Sequence, residues 1–422
     1  MSGNGSTPTV GTPRPTIRMG EVGRFLVPVD QEDIVAWFLR HLFLGQSFRE
    51  RLAITAGAGP RPGWLGRLVF DRCWTLEPPL GAAPAGGAPE GREDWAPLLA
   101  RSGAAFSTPG SPLGTPPDPG RCIFVRDRRG TGRGHLIAFV FGARGRGPIA
   151  VAKIRLATSG SPALRAEWDA LRRLRARLPT HLASGIPRPM AYRRRSGVDV
   201  LVEAPLPGRS GVVELYESLN PRRLPCRHLD AALGWIMAFQ EGTSHGEQRY
   251  QPPRHLLGDG GIDEPPWLLE LRERCARAVV PGTAVHGDFR IGNILLRRRA
   301  HYGQTPQVGV VDWERFRPLG SPFTDVFDLA ITYALGFPWS RSRRWPPLRA
   351  FRLGFLEENA VSRELRAFLV AYCERTGTDP RLLESLARVH LLERARQGPN
   401  PDIWLQLERL LARAERSIVS AP

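Results

Sequence analysis

The stretch Val285-His286-Gly287-Asp288-Phe289-Arg290-Ile291-Gly292-Asn293-Ile294-Leu295-Leu296 decides how this chain is read. It sets a histidine, a carboxylate and an amide in the pattern H-x-D-x-x-x-x-N. After a basic loop comes Val308-Gly309-Val310-Val311-Asp312-Trp313-Glu314, an apolar strand that ends on a carboxylate. Asp288, Asn293 and Asp312 are hard oxygen donors. Gly287 and Gly292 give the segment between them the freedom to bend tightly.

That donor set matches what phosphoryl transfer requires. A carboxylate must accept or orient the proton of the attacking hydroxyl, which is the part Asp288 fits. Mg²⁺ prefers one or two carboxylates together with phosphate oxygens and water. Asn293, with a neutral amide oxygen, and Asp312, with a charge, fit that preference. His-Gly-Asp by itself recurs by chance; Asn293 at its offset and a strand-terminal Asp312 turn it into a pattern. His286 reads as a packed, hydrogen-bonded anchor of the loop rather than as a general base, because Asp288 is better placed for that work.

HGDFRIGNIL followed by VVDWE resembles the aminoglycoside phosphotransferase/choline kinase-like family, whose members phosphorylate small molecules. Gly287 stands where protein kinases carry Arg, and Asp312-Trp313-Glu314 replaces Asp-Phe-Gly. No Ala-Pro-Glu segment follows Asp312, which speaks against a protein kinase. The resemblance is strongest over residues 284–330, weaker over 122–207 and absent before that. It implies an α+β, bilobal protein-kinase-like fold, with a small antiparallel-sheet N-lobe carrying one helix and a larger, mainly helical C-lobe. It also implies ATP and Mg²⁺ as cofactors and a small-molecule hydroxyl as acceptor.

The implied nucleotide site extends upstream. Of 59 Lys plus Arg, one residue, Lys153, is lysine. It lies at the end of the strand-like run Pro148-Ile149-Ala150-Val151-Ala152-Lys153, as in the V-A-I-K strand of kinases, where the lysine pairs with nucleotide phosphates. A compact ammonium on a flexible stem suits that slot better than a planar guanidinium. Ser161-Pro162 opens an amphipathic helix with Leu164, Trp168, Leu171 and Leu174 on one face. Glu167 in this helix is the expected ion-pair partner of Lys153, with Asp169 the alternative. Between the strands predicted at 122–125 and 136–141 lies Arg128-Arg129-Gly130-Thr131-Gly132-Arg133-Gly134. Gly130 and Gly132 are candidates for a loop that donates N–H groups to phosphate, a plain flexible turn being the competing reading. Further strands fall near 188–193 and 198–203, and Glu203 opens the segment expected to hold the adenine edge.

The rest of the chain is organised around this region. Residues 1–20 read as a disordered tail. Residues 21–77 read as an extension in which Ile34, Trp37, Phe38, His41 and Leu42 recur at helical spacing and pack on the small lobe. Residues 78–120 read as a Pro/Gly/Ala-rich linker. The N-lobe is placed at 121–207 and the C-lobe at 208–422. Leu229, Ala232, Leu233, Ile236 and Phe239 form a core stripe, while His228, His245 and His255 read as surface residues. After Asp312, Gly320-Ser321-Pro322-Phe323-Thr324-Asp325-Val326-Phe327-Asp328 departs from the family's G-D-P-x-x-D-L-A. Either Asp325 or Asp328 is expected to hold the catalytic loop from beneath. Three more helices are expected around Leu365/Phe368/Leu369/Tyr372, Leu382/Leu386/Val389 and Ile403/Leu407/Leu410, walling the acceptor pocket.

Composition bounds the function. With 42% hydrophobic residues the chain can build an ample core, and five scattered cysteines form neither a zinc pattern nor a disulfide framework, so a cytoplasmic setting is expected. No apolar run approaches a membrane span, and MSGNGSTPTVGTPRPTIR lacks the apolar core of a secretory signal. The net charge of +18 raises a nucleic-acid partner. Its arginines, however, are spread along the chain without interleaved aromatics, so a nucleic-acid role is not expected. A scaffold that keeps the fold without turnover is the alternative to an enzyme, opposed by the intact set of Lys153, Asp288, Asn293 and Asp312. Residues 337–422 hold 15 Arg against 10 Asp plus Glu, which favours a neutral or anionic acceptor over a polycation.

Overall fold

The computed structural model describes residues 16–18, 24–26, 37, 75–77, 121–126, 135–142, 147–156, 162–195, 198–217, 225–244, 249–250, 270–271, 273–274, 280–297, 307–337, 346–397 and 400–414. The described chain divides into two compact units, one holding the residues up to Leu156 with Met190–Ala204, the other holding Pro162–Pro189 and the residues from Pro205 onward.

The first unit is built on antiparallel strands: β1 (Thr16–Arg18), β2 (Arg24–Leu26), β3 (Thr75–Glu77), β4 (Cys122–Arg126), β5 (His135–Phe141), β6 (Pro148–Leu156), β7 (Pro189–Arg195) and β8 (Val198–Glu203). Six of them form one sheet in the order β2-β4-β5-β6-β8-β7. Successive side chains of a strand point to opposite faces, and the β5–β6–β8 register exploits this. Leu136, Ala138 and Val140 lie opposite Ile154, Ala152 and Ala150, and the last strand adds Val198, Val200 and Val202. All nine are buried in one cluster. Lys153, paired in register with Ile137 and Leu201, therefore takes the opposite face. The first twenty residues, expected to be a disordered tail, supply Thr16–Arg18, which pairs with Thr75–Glu77 through backbone bonds. Of the helical pattern expected around Ile34 to Leu42, Trp37 is described, and its ring packs 5.3 Å from those of Phe139 and Phe141. The 78–120 segment and the glycine loop with Gly130 and Gly132 lie outside the described residues.

The second unit is mainly helical: α1 (Pro162–Arg177), α2 (Thr180–Ala183), α3 (Gly211–Glu217), α4 (Pro225–Thr243), α5 (Phe323–Gly336), α6 (Pro347–Phe351), α7 (Ala360–Thr376), α8 (Leu383–Gln397) and α9 (Pro401–Ala412). Short strands β9 (Arg209–Ser210), β10 (Arg249–Tyr250), β11 (Val280–Pro281), β12 (Thr283–Val285), β13 (Ile294–Arg297), β14 (Gln307–Val310) and β15 (Arg317–Gly320) are threaded among them. Helix α1, expected to belong to the N-lobe, falls in this unit because Leu171 and Leu174 enter its core beside Leu178 and Leu182. The buried face of α1 runs through Leu164, Glu167, Leu171 and Leu174, so Glu167 occupies a core-facing place that the sequence pattern gave to Trp168. Asp169 pairs instead with Arg165 on the outer side at 3.0 Å. The α4 stripe from Leu229 to Phe239 is buried as expected, but His228 is buried too, contrary to the surface reading. It lies on α4 rather than in a polar loop. No helix among the described residues is long and apolar enough to cross a membrane.

Helix α7 has reciprocal caps at its start, where Asn359 accepts from Val361 and Ser362 N–H and Ser362 Oγ accepts from Asn359 N–H. It ends on Gly377, which supplies the left-handed conformation (φ 67°) that closes a helix. A polar brace ties this helix to the rest. Gln240 on α4 donates to the Pro322 carbonyl at 2.8 Å and accepts from the Tyr372 hydroxyl at 2.5 Å, all three groups being buried. Replacing Gln240 by Leu orphans both partners and should destabilise the chain by about 2–4 kcal/mol. Adding Tyr372→Phe should recover part of that loss. Chemical unfolding of both single variants and the double variant measures the coupling; strict additivity would remove the brace.

Candidate active site

Two strand pairings bring the motif residues together. β13 and β14 pair antiparallel with Ile294 opposite Val310, so Asn293 and Val311 face each other just beyond the ladder, and Val311 N–H donates to Asn293 O at 3.0 Å. β12 pairs with β15, with Val285 opposite Arg317. The loops 286–293 and 311–316 are thus clamped at both ends and lie side by side. Asn293 and Asp312, far apart in sequence, become neighbours through this register.

Contacts of Asp325 and His286 fix the start of the 286–293 loop. The buried Asp325 carboxylate, on α5, accepts the backbone N–H of His286 at 2.8 Å and of Gly287 at 2.9 Å. Of the two candidates for the supporting aspartate, Asp325 is the one that takes it. Burial pushes its carboxyl up to about 7, against the opposing pull of those two N–H donors. His286 is fully buried, with Nε2 3.0 Å from Val311 O and Nδ1 accepting from Asp288 N–H at 3.2 Å. A ring that donates from Nε2 and accepts at Nδ1 is neutral, and burial pushes its pKa down to about 4, against the pull of Asp288. Its expected role as a loop anchor matches this geometry.

Gly287 is required by its surroundings. Its φ is +79°, and a Cβ there would meet the Arg315 carbonyl oxygen at 2.4 Å. The Arg of protein kinases has no room at this position. Gly292 differs from the expectation placed on it: its φ is not in the left-handed region, and a Cβ would meet Val212 at an ordinary 3.8 Å.

Asp288 is held from both sides. Its Oδ2 accepts from Asn293 Nδ2 at 3.1 Å and lies 3.2 Å from Arg290 Nε, while its Oδ1 lies 3.5 Å from Arg394 Nη2. Asn293 Nδ2 also donates to Asp288 O at 2.9 Å, which fixes the amide so that its oxygen is the atom left for a ligand. Arg290 reaches on to Asp312, with Nη2 3.9 Å from Oδ2, so one guanidinium spans both carboxylates. Asp312 itself has φ 71°, an uncommon conformation for a residue with a side chain. Such strain, about 1–3 kcal/mol, persists where the surroundings fix it, characteristically at functional sites.

Those surroundings include Trp313, which is fully buried. Its N–H donates to Glu167 Oε1 at 2.8 Å, its indole donates to Val310 O at 2.9 Å, and its ring lies 4.5 Å from His286. Trp235, Phe239 and Phe316 pack around it, and Phe289 stacks on Trp235 behind them. Glu167, assigned to Lys153 on sequence grounds, has one oxygen committed to the residue following Asp312. In the first unit, Lys153 Nζ lies 3.8 Å from Glu203 Oε1, both side chains being buried. Glu203 ends β8 and sits diagonally across the ladder from Lys153.

Sequence reasoning missed Arg394 and the cluster it anchors. On α8, Arg394 makes a two-pronged ion pair with Asp328, and His390 Nε2 is 3.1 Å from the same carboxylate. Burial alone would raise Asp328, yet Arg394 and His390 hold it below the usual carboxylate range. The available signal was His390 and Arg394 at i,i+4, a spacing that sets both on one side of α8, though other polar residues of the same helix blur it.

Among the described residues, no group of three or more His, Cys, Asp or Glu is placed to hold a metal ion. The donors at this site are instead one amide oxygen and one carboxylate, Asn293 and Asp312. That hard-oxygen pair is compatible with Mg²⁺ completed by phosphate and water.

The phosphotransferase enzyme family matches residues 141–382, more than half of the chain, and this chain belongs to that family. Among solved structures, an aminoglycoside phosphotransferase from Streptomyces rimosus, in complex with ADP and streptomycin, is similar at 18% identity and a TM-score of 0.34. That similarity covers 76% of this chain and 99% of the other. An aminoglycoside-3'-phosphotransferase of type VIII is 21% identical with a TM-score of 0.32, covering 63% and 93%. A spectinomycin phosphotransferase, in complex with ADP and spectinomycin, is 10% identical with a TM-score of 0.32, covering 71% and 88%. No curated protein matches the chain.

Asp325→Ala should release the loop. Two buried N–H groups lose their acceptor, at about 1–3 kcal/mol each, and Tm should fall accordingly. An unchanged Tm would mean the loop is held elsewhere. In ¹⁵N spectra His286 should report the neutral Nε2–H tautomer at pH 6; an imidazolium signal at that pH would contradict the assigned hydrogen bonds.

Proposed function

We propose that this chain is an ATP-dependent phosphotransferase that moves the γ-phosphoryl group to a hydroxyl of a small molecule. The observation that carries this reading is the meeting of Asp288, Asn293 and Asp312 on two facing loops, with both carboxylates within 4 Å of Arg290.

Asp288 would take a hydrogen bond from the acceptor hydroxyl and orient its oxygen toward the γ-phosphorus. As the new O–P bond forms and the bond to the ADP oxygen breaks, the hydroxyl proton passes toward the Asp288 carboxylate. The hold of Asn293, Arg290 and Arg394 on that carboxylate keeps it in one rotamer, which serves positioning more than basicity. Asn293 and Asp312 would hold Mg²⁺, which neutralises charge on the phosphate oxygens when bound. Lys153 would pair with the nucleotide phosphates, its ammonium kept in place by the neighbouring carboxylate of Glu203. Glu167, through the Trp313 N–H, would fix the backbone beside Asp312. Gly130 and Gly132 remain candidates for backbone contacts to phosphate, and the segment after Glu203 for the adenine edge.

Asp288→Ala should lower transfer by about 10²–10⁴-fold while ADP affinity, read by calorimetry, stays within about twofold. Turnover comparable to the parent would refute the role of Asp288. Lys153→Met should weaken nucleotide binding itself, and unaltered ADP affinity in that variant would move the phosphate site elsewhere. A scaffold without turnover predicts that neither change matters to ATP consumption.

A further inference from the structure

Beneath the 286–293 loop the second unit contains a cavity of about 320 Å³, bordered by Gly287 and closed on its far side by α8. Its lining includes three arginines, Arg315, Arg317 and Arg394, one histidine, His390, and one glutamate, Glu393. These charges are not equivalent. Glu393 already pairs with Arg317, its Oε1 accepting from Arg317 Nη1 at 3.0 Å and from Gln397 Nε2 at 3.5 Å. Arg394 is committed to Asp328 and reaches Asp288. Arg315 makes no ion pair among the described residues, and its backbone is fixed by the close approach to Gly287.

The cavity therefore pairs off its one acidic side chain internally and keeps cationic charge in excess. Through Arg394, which contacts both the cavity and Asp288, the excess lies next to the candidate catalytic carboxylate. A polycationic acceptor entering here would meet a preponderance of like charge. An acceptor bearing a carboxylate or a phosphate ester would find a planar donor fork suited to oxyanions. The volume lies at the lower end of the range of about 300–1,000 Å³ that ligand pockets occupy, which suits a molecule of monosaccharide size or smaller.

We propose that this cavity seats an anionic group of the acceptor, with Arg315 as its principal contact, so that the enzyme phosphorylates a hydroxyl of a small acidic molecule. The inference rests on the phosphotransferase reading for the reaction, but the anion site stands on the cavity's own residues.

The test uses the full chain, saturated with ADP and Mg²⁺, at about 150 mM salt, where loosely held surface anions are screened. Inorganic phosphate and glycolate are titrated separately by calorimetry, with kanamycin as the polycationic comparison. One of the two anions should bind in the millimolar range. Arg315→Ala should weaken it about tenfold or more, and Arg315→Lys should restore part of the affinity, while ADP binding and Tm remain unchanged. Phosphate alone binding would indicate a phosphate ester, and glycolate alone a hydroxy acid. The proposal falls if neither anion binds, if Arg315→Ala binds them as well as the parent, or if kanamycin binds more tightly than both. Failure of ADP to bind would instead overturn the phosphotransferase reading, and the anion titrations without nucleotide would still decide the cavity through the Arg315 variants.

Discussion

One buried carboxylate sets the geometry on which this site depends. Asp325 accepts two consecutive backbone N–H groups from the loop carrying Asp288, and it does so where water cannot substitute. Two adjacent N–H groups can point at one carboxylate only if the backbone between them turns sharply. Gly287, at φ +79°, makes that turn and lets the loop approach the Arg315 carbonyl. His286 then spans from Asp288 to Val311, and Trp313 fills the space behind it. Each later contact presumes the earlier one. The order of dependence runs from α5 to the loop, from the loop to Val311, and from there to Asp312 in its unusual conformation.

The arginine-rich composition takes on local meaning here. Among the described residues, exposed ion pairs such as Arg363–Glu358 and Arg381–Asp379 contribute little to stability. Arg290 and Arg394 are different. Arg290 lies between two carboxylates of the site, and Arg394 grips Asp328 with two nitrogens while reaching Asp288. That double engagement needs a planar fork; an ammonium could not satisfy both carboxylates in the same way. Burying such a pair is costly unless every donor is used, and the helix carrying Arg394 provides His390 at the same carboxylate.

Local chemistry was legible in the sequence; long-range packing was not. The strands expected at 122–125, 136–141, 148–153 and 198–203 are present, the third running on to Leu156, and the helices around Phe239, Phe368 and Leu386 follow from their apolar period. Asp288, Asn293 and Asp312 could be read because their spacing is local to one loop and one strand end. Glu167 could be singled out as the expected partner of Lys153, but its bond to the Trp313 N–H crosses 146 residues and leaves no local trace. Asp325 and Asp328 were indistinguishable by type, since only the side of α5 facing the loop decides between them. His228 was misread because nearby prolines and arginines suggested a loop, whereas α4 starts at Pro225 and buries that face. Arg315 carried no signal at all, as an arginine in an arginine-rich chain.

The solitary lysine has a practical corollary. Lys153 is about nine-tenths shielded on its strand, and every other basic side chain but the histidines is a guanidinium. An amine-selective acylating reagent thus meets a single ε-amine among these 422 residues. Its rate of attachment would follow how often that face of β6 breathes open, giving a one-site reporter of motion without any engineered label.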